Sequence, residues 1–90
     1  MVEVKLILQN ELGLHARPAA DFTKLASKYK SRITLKGNGK AADGKSIIMV
    51  LTMGVRKGGE LIITADGPDE VECIEALRAL VESNFNGARE

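Results

Sequence analysis

One histidine stands in the chain, His15, inside the run Gly13-Leu14-His15-Ala16-Arg17-Pro18-Ala19-Ala20. The apolar spacing that begins at Ala16 starts a helix, so the imidazole falls at a helix N-terminus. Backbone amides there lack intrahelical acceptors and carry the positive end of the helix dipole, which favours a neutral imidazole and then welcomes an anion. A histidine so placed is a nucleophile for phosphoryl chemistry. Arg17 adds a fixed cation that can meet a phosphoryl group through two donors. Pro18 in the first turn forfeits an amide that had no partner anyway. The residues alone leave a second reading open, a histidine that merely starts a helix with Arg17 in water.

The elements that must position these groups follow from periodicity. Val2, Val4, Leu6 and Leu8 alternate with Glu3, Lys5 and Ile7, which predicts a first strand over Val2 to Leu8. Apolar positions 16, 19, 22, 26 and 29 predict a first helix over Ala16 to Tyr29. Arg32 to Lys36 and Lys40 to Asp43 predict two antiparallel strands joined through Gly37, Asn38 and Gly39. Ser46 as N-cap and Gly54 as stop frame a short helix over Ile47 to Met53. Leu61 to Asp66 predicts a fourth strand, and Val71, Ile74, Leu77, Val81 and Phe85 a long third helix with acids at its start. The order β-α-β-β-α-β-α predicts an α+β fold, an open-faced two-layer sandwich. A four-stranded antiparallel sheet is covered on one face by two long helices and one short one. Phe22, Leu25, Ile33, Leu35, Ile63, Ile74, Leu77 and Val81 are the expected core.

Ninety residues allow one domain, spanning 1–90. Thirteen Lys plus Arg against twelve Asp plus Glu give a net charge of +1, which argues against broad attraction to nucleic acid or an anionic membrane. The aromatics Phe22, Tyr29 and Phe85 all fall on expected helices, so no stacking platform on the sheet supports a nucleic-acid-binding module. A lone Cys73 cannot form an internal disulfide, and one cysteine with one histidine cannot build a structural zinc site. No metal and no cofactor are expected. The first residues lack the apolar stretch of a secretory signal, and no run reaches the roughly 18 apolar residues of a membrane span. A cytoplasmic monomer is the expectation, with no membrane insertion.

Three other features stand out. Ile47, Ile48, Met49, Val50 and Leu51 run through more than a helical turn without a polar residue. With Val50 and Met53 inward, Ile47, Ile48 and Leu51 form an exposed patch for partners. Arg56, Lys57, Gly58 and Gly59 read as a solvated hairpin turn rather than a phosphate cradle, since neither Walker spacing nor a following helix is present. Cys73 reads as a half-buried packing residue.

Over essentially its whole length the chain resembles HPr, the histidine-containing phosphocarrier family of the bacterial phosphoenolpyruvate-dependent phosphotransferase system. The run Gly13 to Ala20 is similar to that family's active-site signature, and Gly44-Lys45-Ser46-Ile47 to its second characteristic element. The resemblance implies that His15 accepts a phosphoryl group on Nδ1 from enzyme I and hands it to a sugar-specific permease component. Such a protein is a covalent carrier and not an enzyme in its own right. It implies that Arg17 balances the phosphoryl charge, and that partners dock on the apolar side chains at Ile47, Ile48 and Leu51. In many Gram-positive members the serine matching Ser46 is phosphorylated by a dedicated HPr kinase/phosphorylase, which slows phosphorylation of the histidine and signals to a carbon-catabolite transcription regulator. Two positions depart from the pattern: Leu12, where Ser, Thr or Asn is common, and Met49, where Gly is common. They leave open a nitrogen-regulatory paralogue, or a purely regulatory module of the same fold.

Overall fold

The computed structural model describes residues 1–9 and 13–83. Leu12 and Phe85 therefore lie outside the described residues. The elements run β1 (Val2–Ile7), α1 (Ala16–Ala26), β2 (Arg32–Gly37), β3 (Lys40–Asp43), α2 (Ile47–Thr52), β4 (Glu60–Asp66) and α3 (Glu70–Glu82). The strands form one antiparallel sheet in the order β1-β4-β2-β3. The last strand in sequence thus lies between the first and the second, and α1 must cross over it to carry the chain from β1 to β2.

Alternation decides which face is covered. Leu6 on β1, Leu61, Ile63 and Ala65 on β4, Ile33 and Leu35 on β2, and Ala42 on β3 are buried. Their neighbours Lys5, Ile7, Glu60, Lys36 and Ala41 are exposed on the other face. Helices supply the opposing layer through Ala19, Phe22 and Ala26 of α1, Val50 of α2, and Cys73, Ile74, Leu77, Leu80 and Val81 of α3. Of the expected core, all are buried except Leu25, which is half-buried against it. The β2–β3 turn is built on Asn38 (φ 53°) and Gly39 (φ 74°). Two consecutive left-handed residues match the right-handed twist of a tight hairpin.

Several boundaries move for physical reasons. The first helix ends at Ala26 rather than reaching Tyr29. Lys28 and Tyr29 donate to Leu25 and Ala26 carbonyls in tightened turns, so Tyr29 lies beyond the helix. Val71 is 60% exposed and not on the buried face of α3. At 100° per residue it stands about 120° away from Leu77, and the stripe begins instead with Cys73 and Ile74. Cys73 is fully buried rather than half-buried. Burial, with the nearby Asp69 charge second, pushes its thiol up to about 11, so it is a packing residue with no thiolate at neutral pH.

The turn after α1 is anchored by Asp69. Its carboxylate accepts the amides of Lys30 (2.8 Å) and Ser31 (2.9 Å) and the hydroxyl of the buried Ser31. Asp69 occupies the N-cap position of α3, yet its side chain makes no capping bond, because its oxygens are engaged across the molecule. The Ser31 hydroxyl, then the Lys30 amide, hold its carboxyl below the ordinary 3.8. A depressed folded-state value contributes stability above the unfolded value and loses it as pH falls through the folded one. Asp69→Asn should therefore melt lower than the parent at pH 7, with the gap closing as the pH falls below the ordinary carboxylate range. A gap that is constant from pH 7 to pH 2 would refute the assignment.

Candidate functional site

His15 is the N-cap residue of α1, in extended backbone (φ −96°, ψ −171°). Its carbonyl accepts the Ala19 amide at 3.0 Å, which begins the helix, while its side chain makes no capping bond. The first-turn amides of Ala16 and Arg17 therefore keep their anion-binding capacity. The first turn contains no acidic residue that would compete for them. Pro18 is buried and occupies the third helical position, where its missing amide costs nothing, and Arg17 is exposed beside it. His15 itself is half-buried. His15 and Arg17 thus both stand at the N-terminal, positive end of an eleven-residue helix.

The loop before His15 is held by groups that side-chain chemistry does not announce. Leu14 is buried and donates its amide to the Val55 carbonyl at 2.9 Å, and the His15 amide donates to the Gly13 carbonyl at 3.0 Å. Gly13 has φ +65°, and a Cβ there would stand 2.4 Å from the Val55 oxygen and 2.6 Å from the Arg56 Cα. A strap, residues 54–59 between α2 and β4, thus lies directly against the histidine loop. Leu8 ties the same strap to the end of β1, donating to the Gly59 carbonyl (3.0 Å) and accepting from the Gly58 amide (2.8 Å). Arg56, Lys57 and Gly58 are exposed as expected and Gly59 is half-buried, but the turn joins a helix to a strand rather than two strands.

The family model described as the PTS HPr component phosphorylation site matches residues 2–83. The chain belongs to the HPr phosphocarrier family. The phosphocarrier protein HPr of Vibrio cholerae is 42% identical over 82 residues, covering 91% of this chain and 96% of its own length. That of Cupriavidus necator is 38% identical over 85 residues, covering 94% and 96%. The crystal structure of HPr-C-His from Thermoanaerobacter tengcongensis superimposes with a TM-score of 0.93 at 42% identity, covering 99% of this chain and 100% of that one. The four-stranded antiparallel sheet with three helices is the HPr fold. Membership implies exchange with phosphotransferase-system proteins. Among the described residues no helix is long and apolar enough to cross a membrane.

The second HPr element is built on local hydrogen bonds. Ser46 caps α2, accepting the Met49 amide at 3.4 Å. The approach to it is fixed by Asp43, which accepts the amides of Lys45 and, through its carbonyl, Ser46. Lys45 reaches back to the Tyr29 carbonyl at 2.6 Å and so ties this turn to the end of α1. On α2, Ile47 and Ile48 are exposed, at 39% and 71%, as the patch requires. Leu51 is instead half-buried against the core, and Met49, 45% exposed, takes its place in the open trio. The helix is wedged between α1 and β3, which cover it from two sides. Met49 thus departs from the family's usual glycine at a position where a side chain extends into solvent without disturbing the core.

Proposed function

We propose that this chain is the phosphoryl carrier of a phosphotransferase system, loaded by phospho-enzyme I and discharged to a sugar-specific permease component. What carries the reading is His15 at the N-cap of α1, its side chain leaving the first-turn amides uncapped, with Arg17 two positions on. The Nδ1 lone pair of the neutral imidazole attacks phosphorus, and the donor's bond to phosphorus breaks with its electron pair returning to the donor. The Nε2 proton of the ring, made acidic by the new bond, passes to water, and the phosphoryl charge faces Arg17 and the helix end. A phosphorus–nitrogen bond on imidazole conserves transfer potential, so the group moves on to the permease component by the reverse step. The carrier works as a single copy in the cytoplasm, which sedimentation and cell fractionation check. Incubation with enzyme I and phosphoenolpyruvate should yield one acid-labile, alkali-stable phosphoryl group per chain. An alkali-labile, acid-stable product, or none, would overturn the reading.

Ser46 adds regulation. Its hydroxyl begins α2, where an HPr kinase/phosphorylase adds a phosphoryl group that the helix end accommodates without unfolding. Ser46→Asp, which mimics that charge, should slow phosphorylation of His15 by enzyme I about tenfold or more at an unchanged melting temperature. Equal rates would remove this role. The same charge is the signal offered to a carbon-catabolite transcription regulator.

Ile47, Ile48 and Met49, exposed on α2, form the docking surface for these partners. An exposed apolar trio on so small a domain is an interface rather than a core. Ile48→Asp should raise KM for enzyme I roughly tenfold, more than it lowers kcat, with little change in melting. A large drop in melting temperature at unchanged affinity would make Ile48 a core residue.

A further inference from the structure

Beyond the histidine loop, a hollow of about 1090 Å³ lies between the β2–β3 hairpin and the strap that joins α2 to β4. Four cations line it, Lys36 and Lys40 from the hairpin and Arg56 and Lys57 from the strap, over a floor of buried Met53 and Val55. We infer that this hollow is a docking groove for an acidic, extended segment of the protein that exchanges the phosphoryl group with His15. The inference rests on the carrier reading above.

Charge is the first argument. The whole chain carries only +1, so gathering four cations into one concavity leaves the rest of the molecule net acidic and makes the groove a positive pole. The one acid on its lining, Glu60, already faces Lys5 at 3.7 Å. Lys36, Lys40 and Arg56 form no ion pair among the described residues. Lys36 and Arg56 thus bring their charge to the groove with no carboxylate set against it, while Lys40 serves the fold through the Thr52 carbonyl. An apolar partner would strip water from these cations without compensation, whereas carboxylates meet them with charge-assisted bonds.

Shape and rigidity are the second. The walls are fixed before anything binds. Asn38 donates to the Met53 carbonyl at 3.1 Å and Lys40 to the Thr52 carbonyl at 3.3 Å, pinning the hairpin tip to the end of α2. Gly58 and Leu8 hold the other wall through their 2.8 Å bond. The cations stand exposed on an open rim, which would leave most of a compact small ligand in water, while a chain segment lying along the groove meets them in succession. Continuity is the third. The Val55 carbonyl on the groove floor holds the Leu14 amide, and the Arg56 backbone packs on Gly13, so the groove borders the loop that presents His15.

The test reverses two cations that stand outside the transfer machinery, Lys36→Glu with Arg56→Glu. In transfer from phospho-enzyme I, KM for the carrier should rise about tenfold with kcat within about twofold. The dependence of kcat/KM on salt should flatten. The neutral pair Lys36→Gln with Arg56→Gln should give a smaller rise, with melting unchanged in both. In parallel, an eight-residue polyglutamate peptide added to the isotope-labelled protein should shift amide resonances of 36–41 and 54–59 in the parent and not in the reversed variant. Parental KM and salt dependence in both variants, with a parent that transfers normally, would overturn the groove and leave the carrier reading standing. Failure of the parent to take up a phosphoryl group would overturn both. Inorganic tripolyphosphate shifting the same amides as tightly as the peptide, with KM unmoved, would make the hollow a small-anion site and also overturn the docking role.

Discussion

A His15→Ala chain should take up no phosphoryl group from phosphoenolpyruvate and enzyme I, a loss of at least about a thousandfold in rate, while melting like the parent. The loss is large because no other side chain offers an equivalent nucleophile. His15 is the chain's one imidazole, and Cys73, the one thiol, is buried with its pKa pushed up to about 11. Removal of a reacting nucleophile generally costs far more than removal of any supporting group. The helix start should persist, since it is made from the His15 carbonyl, which alanine also carries. Arg17→Ala grades the scale. One charge-assisted bond of about 1.5–3 kcal/mol, acting mainly in the transition state, corresponds to roughly ten- to a hundredfold. Residual acid-labile labelling of His15→Ala at more than a few per cent of the parental rate would place the acceptor elsewhere.

The parts of this molecule that sequence reveals are those written in side-chain pattern. Alternation exposes the strands because one sheet face is buried and the other wet. The pair Asn38-Gly39 exposes the hairpin because its turn needs two left-handed residues. His15, Arg17 and Ser46 are legible because helix ends ask for particular residue types. Helix tails are less so: α1 stops at Ala26 although apolar spacing continues to Tyr29, because the turn must deliver Ser31 to Asp69, thirty-eight positions away. The Val55 carbonyl is invisible in sequence, since a backbone acceptor carries no residue signature. Arg56 belongs beside the histidine loop only once β4 has inserted between β1 and β2 and drawn the strap under Gly13. Leu51 leans on the core because tertiary neighbours on two sides, rather than the helix wheel alone, decide what a short helix buries.

That backbone contact sets up the second large effect. Gly13→Ala should lower the melting temperature by roughly 8–40 °C and cut the rate of phosphorylation at His15 as well. At φ +65° an L-residue costs about 1–2 kcal/mol. The added Cβ would also stand 2.4, 2.6 and 2.9 Å from the Val55 oxygen and from the Arg56 Cα and carbonyl carbon. All three are backbone atoms and cannot rotate away. Relief requires the strap to part from the loop, which breaks the 2.9 Å bond from Leu14 to Val55. That leaves a buried amide unsatisfied at about 1–3 kcal/mol. Together these make roughly 2–5 kcal/mol, and for a domain of this size each kcal/mol moves melting by about 4–8 °C. Gly58→Ala separates the two causes. Gly58 has φ +84° but nothing within 4 Å of a built Cβ, so it should show the conformational cost alone, with His15 phosphorylated at the parental rate. If Gly13→Ala melts no lower than Gly58→Ala and transfers as fast, the strap does not hold the histidine loop. The presentation of His15 would then have to come from α1 alone.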